Sequence, residues 1–133
     1  MPINLELIEN GHILWFQIEG AWKPEDIAPA KEKTRLIFQQ APHTVHALVD
    51  LSSAQVNVPL LMASHQVIGG EPLPNTGQIA IVGVPRMIRM VAEPILRATG
   101  NADPITFFST IEEAKTYLRR HIDSGDSGES GGG

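Results

Sequence analysis

Apolar and polar residues alternate along this chain with two periods, and the places where the period changes mark its elements. The stretch 77–100 shows the change most clearly. Ile79, Ala80, Ile81, Val82 and Val84 occur with no charge among them, the pattern of a strand buried on both faces. Pro85 closes it, because proline has no N–H for the ladder. From Arg86 to Thr99 the repeat becomes helical. Met87, Ile88, Val91, Ile95 and Ala98 fall on one side, and Arg86, Arg89, Glu93 and Arg97 on the other. Gly100 suits the left-handed residue after a helix. A buried strand feeding an amphipathic helix is half of a β-α-β unit, which predicts a mostly parallel sheet.

The rest of the chain supplies elements of the same kind. Residues 3–8 and 13–18 alternate around Glu9-Asn10-Gly11-His12, and Asn-Gly between two such runs predicts an antiparallel hairpin. Pro24, Glu25 and Asp26 suit a helix start, with Ile27, Ala30, Thr34, Ile37 and Phe38 tracing a face up to Gln40. Pro29 interrupts that face, so the main helix either kinks or starts there. Residues 45–51 form a second buried strand, ending at Asp50 and Ser52-Ser53. A helix is expected over 58–68, with Pro59 near its start and Gly69-Gly70 as its stop, then a loop to Thr76. Residues 105–108 make a last strand. Ser109-Thr110-Ile111-Glu112 has the spacing of a capping box, opening a helix that buries Ile111, Ala114, Leu118 and Ile122. The expected fold is α/β, a single mixed, mostly parallel sheet in the order β-β-α-β-α-β-α-β-α with about four helices.

Composition adjusts this picture at the end of the chain. Residues 123–133 contain no apolar side chain and cannot offset the entropy of ordering, so a domain over 1–122 and a flexible tail over 123–133 are expected. The net charge is −5. Three of the acidic residues lie in the tail, leaving ten basic and twelve acidic residues in the body. Such a balance argues against phosphate-backbone binding, which needs clustered Lys and Arg, so no nucleic-acid partner is expected. No apolar run approaches the ~20 residues of a membrane span. The amino-terminal segment lacks the basic and apolar regions of a signal peptide, and cytoplasmic residence is expected. The absence of cysteine removes disulfides, thiolate metal sites and a cysteine nucleophile together.

The element order and three stretches resemble the STAS domains, the family of anti-sigma-factor antagonists and sulfate-transporter tails. Val49-Asp50-Leu51-Ser52 is similar to that family's strand ending in aspartate, before the helix used for partner contact. Residues 77–100 and Phe108-Ser109-Thr110-Ile111-Glu112-Glu113-Ala114 are similar to its later strand–helix units. Within it the chain most resembles stand-alone bacterial SpoIIAA-like proteins, which share a superfamily with CRAL-TRIO lipid-binding domains. Residues 84–96 are similar to the CRAL-TRIO run of strand, proline and amphipathic helix. The resemblance covers nearly all of the chain before the tail and implies a regulatory or binding module. One departure matters. The antagonists carry a phosphorylated serine at the start of the helix after that strand, whereas Val56-Asn57-Val58-Pro59-Leu60-Leu61 has no hydroxyl. The phosphoserine switch is therefore not expected here.

Other chemistry is weakly indicated. His43 and His46 straddle a loop and a strand and point to opposite sides, with His12, His65 and His121 far apart in sequence, so no metal site is expected. Asp50, Ser52, Ser53 and His65 contain the groups of a nucleophilic triad, but no G-x-S-x-G elbow holds them; the aspartate and serines read better as loop and cap residues. Arg86, Arg89 and Arg97 offer an anion site near a helix start, yet Glu93 lies where it neutralises them. Met62, Met87 and Met90 read as core filling, and Trp15 as a core residue; Trp22 is placed to rim a pocket. The leading expectation is a non-catalytic module without cofactors that meets a protein, or a small apolar or anionic ligand, through Asp50, Ser52, Ser53, Asn57, Pro59 and Arg86. A homodimer is compatible with it. The alternative is a carrier of a lipid or other apolar molecule between helices and sheet. The apolar helix sides are needed to close so small a core, which favours the module.

Overall fold

A computed structural model describes residues 3–57, 59–60, 75–98 and 105–132. Five strands form one sheet in sequential order: β1 (Ile3–Ile8), β2 (Ile13–Gly20), β3 (Val45–Ala54), β4 (Thr76–Val82) and β5 (Ile105–Phe108). β1 is antiparallel to β2, and every later pair is parallel. The helices are α1 (Pro24–Gln40), α2 (Arg86–Ala98) and α3 (Ile111–Gly132). The mixed sheet with its opening hairpin is the architecture that the hydrophobic pattern predicts. Of the helix expected over 58–68, only Pro59 and Leu60 are described, and they are helical; Met62 and His65 lie outside the described residues.

Alternation along the strands sorts the core into two layers. Ile13, Leu48, Ala80 and Val82 face α3, where Ala114 and Leu118 are also buried and Trp15, Phe108 and Tyr117 pack around them. On the opposite face, Leu14 and Val45 meet Phe38 of α1. Ile18 and Leu51 meet Ile27 of the same helix, together with Trp22. Trp22 is thus a core residue rather than a pocket rim, and its indole N–H donates to the Gln55 carbonyl at 2.7 Å. Trp15 is only partly buried, with the Lys115 ammonium 4.7 Å from its ring centre.

Several local expectations change in detail. The hairpin does not close in a two-residue Asn-Gly turn: Ile8 pairs with Ile13 across a 3-10 turn, Glu9–Gly11. Glu9 and Asn10 both take positive φ, 52° and 57°. An Arg119–Glu9 ion pair of 3.0 Å ties this turn to α3. α1 runs through Pro29 from Pro24. The Lys23 N–H is held by the Asp26 carboxylate at 2.9 Å, so the helix starts at the first proline and tolerates the second. The cap of α3 is shifted by one residue, because Thr110, not Ser109, accepts the Glu113 N–H at 3.2 Å and donates back to its carboxylate at 3.1 Å. Both Ser109 and Thr110 satisfy the sequence spacing; the helix register selects the second. α3 itself continues to Gly132, past the end at Ile122 that the apolar stripe predicts.

The largest correction concerns α2. Its apolar side was expected in the core, yet Met87, Val91 and Ile95 of that side are 81%, 51% and 41% exposed, as is the neighbouring Met90 at 66%, and Ile88 is half-buried. The helix is buried instead at Ala92. Arg89 and Glu93, 3.5 Å apart, are the half-buried charges of the opposite side. Periodicity reports that a helix has two faces, not which of them meets the sheet.

Candidate functional site

β4 ends opposite Asp50 while β3 runs on to Ala54, and the candidate residues lie along and after this overhang. Asp50 pairs with Val82 in the register. One of its carboxylate oxygens accepts the Ser52 N–H at 3.0 Å, a local turn-type bond that holds the strand end after β4 stops. Ser52 and Ser53 are exposed, but they lie within β3, which extends to Ala54. Neither serine therefore caps a helix, as the sequence reading had it. Asn57 does: its side-chain carbonyl accepts the Leu60 N–H at 2.8 Å, the geometry by which a short polar side chain satisfies an orphan donor of a helix start. Pro59 follows it, exposed.

Gly83 joins this edge to the next element. Its φ is +89°, and a Cβ on it would lie 2.5 Å from Ser52 Cα and 2.6 Å from Leu51 C, with the Ser52 nitrogen in contact as well. The backbone after β4 therefore rests directly on the backbone after Asp50, an approach that glycine permits. Beneath it, Val84 and Leu60 pack on the cluster of Leu51, Trp22 and Ile27. Arg86 then opens α2, exposed to solvent. The structure thus brings Asp50, Ser52, Asn57 and Pro59 to the strand ends beside the segment that leads into Arg86. The exposed apolar side of α2 starts one residue further on, at Met87.

Two features of this site are not legible as such in the sequence. The outward turn of α2 is one, since Met87 and Met90 read there as core filling. The close approach at Gly83 is the other, signalled only by a glycine directly after an uncharged run. The candidate anion site is altered too: Arg89 is paired with Glu93 and Arg86 is exposed at the helix start, while the Arg97 side chain lies outside what is described.

Among the described residues, His12, His43, His46 and His121 collect at the opposite end of the sheet. His12 stacks on His43, with ring centres 4.0 Å apart. His46 is buried, and its Nδ1 accepts the Gln78 N–H at 2.8 Å; His121 lies 6.2 Å from it, centre to centre. A buried imidazole that accepts a backbone N–H is a structural partner of that strand. Among the described residues no group of three or more His, Asp or Glu side chains is arranged to hold a metal. No described helix is long and apolar enough to cross a membrane.

No protein-family model matches the sequence, and no curated protein does. A solved structure does resemble the fold. It is the crystal structure of an uncharacterized protein of the DUF3478 family, with a SpoIIAA-like fold, from Shewanella loihica PV-4. The similarity covers 87% of this chain and 91% of that one, with a TM-score of 0.57 and 16% sequence identity. The chain has a SpoIIAA-like fold. The neighbour's own function is uncharacterized, so the likeness carries architecture and no ligand or partner.

Proposed function

We propose that this SpoIIAA-like chain is a non-catalytic binding module that docks a protein partner at the carboxyl ends of β3 and β4. One observation carries the reading: the exposed apolar side of α2, Met87, Met90, Val91 and Ile95, begins four residues after Gly83, whose backbone rests on that of Ser52 at the strand end. Apolar side chains grouped on one exposed helix face mark an interaction surface more often than scattered ones do, and methionines adapt to the partner's shape. The polar rim of Asp50, Ser53 and Arg86 supplies orientation. Binding at the carboxyl ends of parallel strands is also where α/β sheets place their ligands.

The module works here without a phosphoserine switch. Asn57 occupies the helix-cap position, and Ser52 and Ser53 belong to an extended strand. The test is to place a photo-crosslinking residue singly at Ser53, Asn57, Met87 and, as a control on α1, Gln39, then expose the chain to lysate of its host with ATP. One discrete partner captured from the first three sites but not from Gln39 is the expected result. Equal capture from all four sites, or stoichiometric phosphate on Ser52 or Ser53, refutes it. A carrier of an apolar small molecule is the second reading. Because the apolar residues of α2 face solvent and not the sheet, this reading places the ligand on that exposed face instead of between helices and sheet. Native mass spectrometry separates the two by showing a retained small molecule.

A further inference from the structure

The strand at the far edge of the sheet from α2 is the second place where this surface is unfinished. Among the described residues β1 is paired on one side only. Peptide geometry shows which of its backbone groups are open. The His46 N–H donates to the His12 carbonyl at 2.8 Å, so the peptide between His12 and Ile13 directs its C=O to β3 and its N–H to β1. Main-chain groups alternate along a strand. Ile13, Trp15 and Gln17 are therefore the residues of β2 that bond to Ile8, Glu6 and Asn4, their register partners. The N–H and C=O groups of Ile3, Leu5 and Leu7 consequently point outward, along the open edge. An edge of this kind is a template for another strand.

We propose that this edge pairs with the β1 edge of a second copy, antiparallel about a two-fold axis at Leu5. Hydrogen-bonded pairs must join outward-directed residues on both strands, which leaves few registers. Centring on Leu5 pairs Leu5 with Leu5 of the second copy and Ile3 with Leu7, using all three outward residues of each strand. It also sets Asn4 opposite Glu6 in the non-hydrogen-bonded pairs, where side chains approach most closely. A carboxylate then meets an amide. The Asn4 amide gives one N–H to Gln17 at 2.8 Å and has a second to offer. Centring on Glu6 would oppose two carboxylates, and centring on Asn4 would leave Leu7 out of the pairing.

The side chains fit the same register. Leu7 is 46% exposed and Leu36 of α1 is 45% exposed. An open depression of about 420 Å³ lies between β1 and α1, its wall mostly apolar (Ile3, Leu5, Leu36 and Ile37) but including Asp26 and Lys33. In the Leu5-centred pairing, Leu7 of one copy stands beside Ile3 of the other, on the face that carries this depression. Each copy thus presents a leucine and a hollow to receive it, the self-complementarity that a closed two-fold dimer requires.

Sedimentation velocity over a concentration series of the full chain tests this, with Asn4→Asp and Asn4→Lys as the informative variants. Both replace an exposed residue, and they set opposite charges against Glu6 of the second copy. A dimer is expected for the unaltered chain. Asn4→Asp should weaken it and Asn4→Lys tighten it, each on the order of fivefold, because two such pairs form per dimer. A monomer at every concentration overturns the proposal. So does a dimer that responds equally to both variants, which would place the contact elsewhere, such as the exposed side of α2. The chain has no cysteine, so Asn4→Cys with Glu6→Cys reads the register directly. In a non-hydrogen-bonded pair the Cα atoms are about 4.5 Å apart, within reach of a disulfide. Oxidation should give a covalent dimer linked from position 4 to position 6, and failure to form it overturns the register.

Discussion

Substituting Gly83 by alanine tests the seam on which the strand-end site rests. Two costs combine there. An L-residue at a φ of +89° is strained by about 1–2 kcal/mol relative to glycine. The added methyl would also lie 2.5 Å from Ser52 Cα and 2.6 Å from Leu51 C, where real contacts essentially never fall below 3.0 Å. Those neighbours are backbone, so they cannot turn aside as a flexible side chain would; the segment after β4 must lift from β3. Together the two effects should cost about 3 kcal/mol or more, the range of backbone strain combined with overpacking. Gly20→Ala isolates the first of them. Its φ is +65°, and nothing lies within 4 Å of the added carbon, so about 1 kcal/mol is expected. Urea unfolding followed by circular dichroism measures both. With a slope of ~1–3 kcal/mol per molar, Gly83→Ala should move the midpoint by about 1 M or more and Gly20→Ala by much less. Equal losses from the two variants would refute the argument that β3 and β4 are in backbone contact at this seam.

Leu48→Ala should cost about 2–5 kcal/mol, because Leu48 is fully buried between β3 and α3 and its removal leaves a cavity; a loss under 1 kcal/mol in urea would mean that the α3 layer is misplaced. Asn57→Ala should cost about 1 kcal/mol through the lost bond to the Leu60 N–H, the usual worth of a helix cap, whereas Asn57→Asp should keep the stability within about 0.5 kcal/mol. Replacing Met87 and Met90 together by serine should leave thermal stability unchanged, as both are exposed, while abolishing capture of the partner at the strand ends; a large fall in melting temperature would show that this side of α2 is buried after all. Deleting residues 123–133 should leave the melting temperature within about two degrees, since the segment has no apolar residue to bury, and a greater drop would show that it packs on the domain.

What the sequence determined by itself was local. The uncharged run around Ile81, the alternation on either side of Asn10-Gly11 and the helical repeat after Pro24 each state their element through the spacing of apolar side chains, which needs no knowledge of neighbours. Those elements, in that order, admit little besides a parallel sheet with an antiparallel start. The cap of α3 was legible to within one residue, because Ser109 and Thr110 both fit and only the helix register chooses. What the tertiary structure decided were relations between distant segments. Trp22 belongs to the core because Gln55 returns beside it, and Gly83 is required because Ser52 lies under it. Asp50 and Pro59 come to the same end as Arg86 only once β3 and β4 lie side by side. The helix from Arg86 to Ala98 shows the limit most plainly. Its two faces were written in the sequence, but a hydrophobic period does not specify which face the sheet accepts. Ala92 turns inward and Met87 outward, and only the packing of the whole chain selects that rotation.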